Sequence, residues 1–284
     1  GFQRIGDLAW AAGDSRSRGF LLGATAGRTT LNGEGLQHED GHSHLLSATI
    51  PNCISYDPCF SYELAVIIQN GLERMIKNQE DVFYYITIMN ENYSHPEMPK
   101  NISEDIIKGI YKYSESKASG PKVQLMGSGV ILREVIGAAS ILEKDFNISS
   151  TIYSVTSFTE VRRNALDIQR WNMLNPDKTE KKSILDEIIL DLESPIITAT
   201  DYMKSFAEQI ATFLPNKFIS LGTDGFGRSD SREALRDFFE VDRNHIVIAA
   251  LKALTEKQEI EKSVLLSAIK KYKIMNDKPN PVSL

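Results

Sequence analysis

The chain has 284 residues, a formal net charge of −6, and 42% hydrophobic and 25% charged residues. This acidic balance argues against nucleic acid or an anionic membrane as the main partner, since either would favour a dense basic surface. The chain also has no apolar run near the roughly 20 residues of a membrane helix. Its length and composition predict a globular protein of the cytoplasm with about two domains. Its two cysteines are too few for a disulfide framework and predict reduced thiols.

The first hundred residues predict alternating helices and strands. Apolar residues recur at helical spacing over residues 2–12, and a loop rich in glycine follows. Residues 53–56 predict a short buried strand, and residues 60–76 an amphipathic helix. Residues 82–89 are apolar throughout and predict a strand covered on both faces. Strand, helix and strand together predict a parallel α/β unit.

Prolines and charges interrupt this pattern between residues 90 and 120. We therefore place a domain boundary near residues 98–101, with a first domain of residues 1–98 and a second of residues 99–284. The second domain alternates again and predicts a mostly parallel sheet flanked by helices. Its predicted strands are 122–126, 150–155, 195–199 and 217–221, and its predicted helices are 105–111, 130–144, 160–173, 202–213 and two or three C-terminal segments.

Residues 33–44, GEGLQHEDGHSH, concentrate three of the five histidines, three carboxylates and three glycines. Imidazoles titrate near pH 6.5 when unperturbed, so histidines beside carboxylates can supply both an acid and a base at neutral pH. Glycines let the backbone approach a ligand closely. The pattern indicates a functional site, and the alternative is a solvated loop whose histidines do nothing.

A metal site is a second interpretation of the same histidines, since His38 and His42 would share one face of a helix. Gly41 weakens such a helix, and the neighbouring carboxylates are equally suited to orienting the imidazoles by hydrogen bonds. We therefore predict no metal site in this segment. His95 and His245 lie elsewhere and are interpreted as structural residues.

Two other segments with glycines follow predicted strands. Gly127-Ser128-Gly129 stands where phosphates bind at helix N-termini, but the third glycine of the dinucleotide pattern is replaced by Leu132, which favours a tight strand-to-helix turn. Residues 222–233, GTDGFGRSDSRE, place Ser231 as a helix cap and follow a strand at an edge where open α/β sheets bind ligands. A structural loop or a subunit contact is an equal alternative for that segment.

Residues 33–44, with FQRIGD before them and IPNCISYDP after them, closely resemble the homodimeric bacterial pyruvate dehydrogenases, the first components of the pyruvate dehydrogenase complex. The likeness continues in NENY, YSVTSFTE, RWNML and residues 222–233. It implies a transketolase-like thiamine diphosphate enzyme. This chain would be the second half of the pyrimidine-binding domain and all of the C-terminal domain, an α/β fold with a mostly parallel sheet.

The resemblance also implies site residues. The positions that match His38 and Glu34 are catalytic in the family, where they position pyruvate and manage protons, while His42 and His44 are supporting residues. The full-length enzyme uses thiamine diphosphate and Mg²⁺. The family's Gly-Asp-Gly motif is absent here, so no cofactor-binding or metal residue is assigned and this piece alone is expected to be inactive.

The implied reaction is decarboxylation of pyruvate followed by reductive acetylation of the lipoyl group of a dihydrolipoyl acetyltransferase, in a homodimer without nucleic acid or membrane partners. Two alternatives remain open. Another transketolase-like enzyme would share the architecture but would need basic contacts to a sugar phosphate, and few arginines or lysines lie near residues 33–44. A dimerisation or scaffold module would use the histidines only to hold the loop.

Overall fold

A computed structural model describes residues 2–24, 26–31 and 34–284. Within these residues the strands form a three-stranded and a five-stranded sheet, which we call the first and the second sheet. The helices and strands in chain order are α1 (Phe2–Asp14), β1 (Phe20–Ala24), α2 (Ser43–Ser47), β2 (Cys53–Tyr56), α3 (Ser61–Leu72), β3 (Phe83–Ile88), α4 (Ser103–Lys108), β4 (Tyr111–Glu115), β5 (Lys122–Gly127), α5 (Leu132–Phe146), β6 (Ser149–Ser154), α6 (Phe158–Leu174), α7 (Ile184–Ile188), β7 (Ile196–Ala199), α8 (Ser205–Glu208), β8 (Phe218–Leu221), α9 (Arg232–Phe238), α10 (Arg243–Glu256) and α11 (Lys262–Lys271).

The first sheet is parallel throughout and has the order β1-β3-β2. Its central strand β3 is buried along almost its whole length, which confirms the strand predicted from its apolar sequence. The loop expected after α1 is wrong in part, because it contains the edge strand β1. That strand has only five residues, and they are half-buried or exposed, so it lacks the continuous apolar pattern of a central strand.

The second sheet has the order β4-β6-β5-β7-β8, and only its edge strand β4 runs antiparallel among the described residues. The expected mostly parallel sheet is confirmed. The helix predicted at 105–111 is wrong at its end, because α4 stops where Gly109 adopts a left-handed φ of 103°. Tyr111 then begins β4, which the polar residues after it had concealed.

The helix predicted at 202–213 is also wrong. The structure has only the short α8 and a separate 3-10 turn at Ala211–Phe213. Backbone groups at the expected start serve other segments instead: the Met203 N–H donates to the Gly41 carbonyl at 2.8 Å, and the Tyr202 carbonyl accepts the Thr223 N–H at 2.9 Å. In a helix the Tyr202 carbonyl would accept the N–H four residues on, so its bond to Thr223 replaces a local hydrogen bond.

Buried apolar side chains of both sheets belong to one continuous core. Tyr84 and Ile86 of the first sheet share this core with Leu125 and Ile197 of the second. Both cysteines are free and buried, as expected. In the part of the chain that the structure describes, no helix is both long and apolar enough to cross a membrane. The boundary near residues 98–101 stays a prediction.

A buried carboxylate, Glu63, connects α3 to the second sheet. Its oxygens accept the Cys59 and Phe60 N–H groups at the start of α3, at 2.6 and 2.9 Å. They also accept the hydroxyls of Tyr111 and Ser154, both at 2.6 Å. Four donors thus offset the cost of burying this carboxyl group.

Tyr111→Phe tests this connection. Loss of the hydroxyl removes one donor to Glu63, so we expect the free energy of unfolding to fall by about 1–3 kcal/mol. The measurement is the thermal unfolding midpoint with the parent protein alongside. Tyr113→Phe on the same strand is the matched control, since Tyr113 is half-buried. Equal midpoints for the two variants would contradict the role given to Tyr111.

Candidate active site

The carboxyl edges of the two sheets face each other. Asp57, which follows β2, accepts hydrogen bonds from Thr87 at the end of β3 and from Ser128, which follows β5, at 2.7 and 2.8 Å. Asp201, which follows β7, meets the turn after β1, where the Thr29 N–H donates to its carboxylate at 2.9 Å. The segment of residues 34–44 therefore lies where the two carboxyl edges meet, the edge at which α/β sheets place ligand sites.

Glu34 and His38 form a pair at this edge. His38 ends a single 3-10 turn, Leu36–His38, which brings its Nδ1 to 3.3 Å from Glu34 Oε2. About half of each side chain is exposed, 52% for His38 and 46% for Glu34. An accessible imidazole beside a carboxylate can exchange protons with a bound molecule while the carboxylate orients the ring.

Both side chains line a cavity of about 390 Å³. Its walls come from the α1 face, β1 and the loop after β1. The lining residues in the described part of the chain are Phe2, Ile5, Leu21, Leu22, Gly23, Ala24, Ala26, Leu31, Glu34, His38, Asp40 and Tyr85. The cavity is thus an apolar cleft with a few acidic and imidazole groups, as is usual for small-molecule sites.

His42 contacts a different element from His38. Its Nε2 lies 2.7 Å from the Gln3 side-chain oxygen, so it connects the site segment to α1. Asp40 accepts the backbone N–H groups of His42 and Ser43 at 3.1 and 2.9 Å. These bonds fix the start of α2.

His44 is fully buried in α2. Its Nε2 lies 3.0 Å from Thr87 Oγ1, and its ring stacks on Phe206 at 4.7 Å between centroids. Burial lowers the pKa of His44 to about 4, so the ring is neutral at pH 7. Its Nδ1 has no hydrogen-bond partner among the described residues. Three histidines that are neighbours in sequence therefore occupy three different environments.

A grouping with metal-ligand spacing in the described residues is Asp237, Asp242 and His245, in another part of the chain. His245 Nδ1 lies 2.7 Å from Asp242 Oδ1. Asp242 also caps α10 by accepting the His245 N–H. Asp242 and His245 thus stabilise the start of α10, in keeping with the structural role predicted for His245.

The strand-to-helix turn expected at Gly127–Gly129 is confirmed. β5 ends at Gly127, and a 3-10 turn at Gly129–Ile131 leads into α5. The Gly129 N–H donates to the Asp57 carbonyl at 2.9 Å, and a β-carbon on Gly129 would lie 2.5 Å from Asp57 Oδ2. The glycine is needed for close contact between the sheets.

Comparison with known proteins shows which proteins this chain is similar to. The family model "Pyruvate dehydrogenase E1 component middle domain" matches residues 1–96, and "Transketolase-like TK C-terminal domain" matches residues 109–242. The proteins named pyruvate dehydrogenase E1 component from Cupriavidus necator and Pseudomonas aeruginosa are 56% and 59% identical to this chain over 286 and 284 residues. Over almost its whole length the chain is similar to these E1 components. The alignments cover 100% and 99% of this chain and 32% of each relative, so the chain spans about a third of their length.

A solved structure confirms the fold expected from the sequence. Transketolase from Campylobacter jejuni superposes with a TM-score of 0.65 at 16% identity, over 88% of this chain and 34% of that one. At this identity the likeness concerns the fold alone. The expected transketolase-like α/β architecture is therefore confirmed.

Glu39 is a buried acid whose environment sequence reasoning missed. Its side chain is 2% exposed, and neither carboxyl oxygen has a hydrogen-bond partner among the described residues. Burial raises its pKa to about 7, although the charge of Arg28 partly opposes the shift. A β-carbon on Gly227 would lie 2.5 Å from Glu39 Oε2, so the loop after β8 covers this group. Nothing in the local sequence distinguishes Glu39 from its exposed neighbour Glu34.

Glu39→Gln tests this burial. Because the carboxyl pKa rises from 4.5 to about 7 on folding, the folded state keeps a proton that the unfolded chain has lost between these pH values. The parent protein therefore loses stability as pH rises through 7, whereas a neutral amide does not. We expect the variant's unfolding midpoint, relative to the parent, to increase between pH 5 and pH 7 and to level off above pH 7. A difference between the two unfolding midpoints that does not change with pH would contradict the raised pKa of Glu39. Glu97→Gln, at an exposed position, is the control.

Proposed function

We propose that residues 1–284 act as the C-terminal portion of an enzyme that decarboxylates pyruvate on thiamine diphosphate and then reductively acetylates the lipoyl group of a dihydrolipoyl acetyltransferase. The observation that carries the proposal is the Glu34–His38 pair, 3.3 Å apart, at an apolar cavity lined by α1, β1 and the loop after β1. Identity of 56% to 59% with E1 components supports it.

His38 and Glu34 are the proposed catalytic residues of this chain. A 2-oxo acid brings a carboxylate and a carbonyl oxygen that gains negative charge when the carbonyl carbon is attacked, and both need hydrogen-bond donors. The His38 imidazole supplies such a donor and can return a proton, while Glu34 orients it. His42 and His44 support the segment through Gln3 and Thr87.

The proposed cofactors are thiamine diphosphate and Mg²⁺. When bound, thiamine diphosphate accepts the electron pair released by decarboxylation. The apolar cavity wall with its carboxylate and imidazole fits the substrate-facing side of that group. No lysine or arginine is among the lining residues that the structure describes, so the diphosphate and Mg²⁺ would be held by other polypeptide.

The surface beside the site supports the proposal that other polypeptide completes the cofactor site. β1 is an edge strand of the first sheet in the described part of the chain. Leu8, Trp10 and Leu22 near it are 68%, 46% and 53% exposed. Such an apolar face beside an open strand edge is suited to cover by further polypeptide. We propose that the complete enzyme is a cytoplasmic homodimer, as its resemblance to the bacterial enzymes implies.

The two alternatives give different expectations. A transketolase would bind a sugar phosphate, and the cavity lining in the described part of the chain offers no lysine or arginine to that phosphate. A scaffold module would leave turnover insensitive to His38. Pyruvate therefore remains the favoured substrate.

His38→Gln in a full-length dehydrogenase that contains this segment tests the catalytic assignment. Loss of the imidazole removes a proton donor at the reacting oxygen, so we expect kcat for pyruvate to fall by about 100-fold. Release of CO₂ with an artificial electron acceptor measures the decarboxylation step. A ketose phosphate supplied instead of pyruvate tests the transketolase alternative.

The matched control is His95→Gln. His95 is exposed and accepts the Ser61 N–H at 3.1 Å, away from the residues that line the cavity. A folded His38→Gln enzyme with the parent's kcat would remove the catalytic assignment and favour the scaffold alternative.

The isolated polypeptide of residues 1–284 gives a second test. Because its cavity provides no cationic side chain for a diphosphate, we expect no CO₂ release from pyruvate with thiamine diphosphate and Mg²⁺ added. The full-length enzyme at the same concentration is the positive control. Measurable turnover by the isolated polypeptide would show that the cofactor site is complete without further chain.

A further inference from the structure

The segment that carries Glu34 and His38 is held at both ends by groups of the second sheet. Its first anchor is the turn of residues 27–30, and its second is residues 39–41. Between these anchors, in the part of the chain that the structure describes, the Glu34 and His38 side chains contact each other and line the cavity. The position of the pair therefore depends on the two anchors.

Asp201 makes the first anchor. Its carboxylate accepts the Thr29 N–H at 2.9 Å and the Thr30 hydroxyl at 2.8 Å, and its carbonyl accepts the Arg28 N–H at 3.2 Å. Gly27 has a φ of 89°, and a β-carbon there would lie 2.1 Å from Asp201 Oδ2. This turn is thus packed tightly against the end of β7.

Arg28 links the two anchors. From the first anchor, its Nη1 donates to the carbonyls of Thr223 and Gly225 in the loop after β8. Its Nε points to the Glu39 carbonyl at 3.5 Å. A β-carbon on Gly41 would lie 2.3 Å from Arg28 Cζ, so the guanidinium lies directly against the second anchor.

The Arg28 guanidinium donates hydrogen bonds to main-chain carbonyls. It is 7% exposed, and the hydrogen bonds that the described residues give it all end on carbonyls. Burial lowers the pKa of Arg28, against the opposing charges of Asp40 and Asp201. A planar fork of donors can bond several carbonyls at once, which a lysine ammonium on a flexible stem cannot reproduce.

We propose that Arg28 is a positioning residue, which sets the location of Glu34 and His38 by clamping residues 39–41 against the loop after β8. The proposal rests on the proposed function, because it gives Arg28 an effect on catalysis only through that pair. The loop of residues 222–233 is then a structural brace for the site, and its glycines allow close approach.

Arg28→Lys in the full-length dehydrogenase is the main test. A displacement of about 1 Å can cost about 100-fold in rate, so we expect kcat for pyruvate to fall at least about tenfold. The KM for pyruvate is expected to change by less than about threefold, since a displaced proton donor weakens the transition state more than substrate binding. Arg18→Lys is the matched control: Arg18 also donates to two carbonyls, of Glu80 and Gln79 at 2.9 and 2.6 Å, but before β1 begins.

A double variant separates positioning from general loss of structure. If Arg28 acts through His38, Arg28→Lys in a His38→Gln background lowers kcat no further than His38→Gln alone. A purely structural effect would lower kcat by the same factor in both backgrounds, and that result would overturn the proposal. So would an Arg28→Lys enzyme with the parent's kcat.

The outcomes also separate this proposal from the proposed function. If His38→Gln has the parent's kcat, the proposed function fails. If His38→Gln is impaired and Arg28→Lys is not, only the positioning role fails. Should Arg28→Lys not fold, Gly41→Ala displaces the guanidinium from the opposite side and is judged by the same kcat, KM and double-variant measurements.

Discussion

The carboxylate of Asp201 holds the turn before the site against the end of β7, and the rest of the site depends on this contact. It accepts the Thr29 N–H and the Thr30 hydroxyl, which places Arg28 between the site segment and the loop after β8. Arg232 in α9 adds a bond to the Thr30 carbonyl at 2.8 Å. One buried acid thus determines where the chain leaves the first sheet and how it meets the second.

Buried carboxyl groups are a feature of this interface as a whole. Burial raises the pKa of Asp57 to about 7, although hydrogen bonds from Thr87 and Ser128 oppose the shift. Glu39 has a similar pKa for the same reason but without hydrogen-bond partners among the described residues. Since nearby acids disfavour each other's ionisation, part of this interface carries protons near neutral pH. Hydrogen bonds from Thr87 and Ser128 to Asp57 therefore act beside the ion pairs that Glu91 makes with Arg133 and Arg236.

Local sequence determined the interior of the fold. The strand β3 was recognisable because a strand covered on both faces is almost entirely apolar. Edge strands were not: β1 is short and half-exposed, and β4 is mostly polar. Their conformation comes from hydrogen bonds to a neighbouring strand, which no local pattern records. The helix expected after β7 failed similarly, because long-range hydrogen bonds use its first backbone groups.

The sequence by itself determined the likeness to the E1 components and the transketolase-like fold, and it predicted the segment that carries the candidate site. These follow from residue identity and apolar periodicity. Only the tertiary structure decided which members of the histidine cluster face a cavity. His38 is half exposed beside Glu34, whereas His44 lies in the core against Phe206. It also revealed Arg28 and Glu39, whose neighbours lie far along the chain at residues 223–228. Burial and long-range contacts give these side chains their properties, and both arise only when the two sheets pack together.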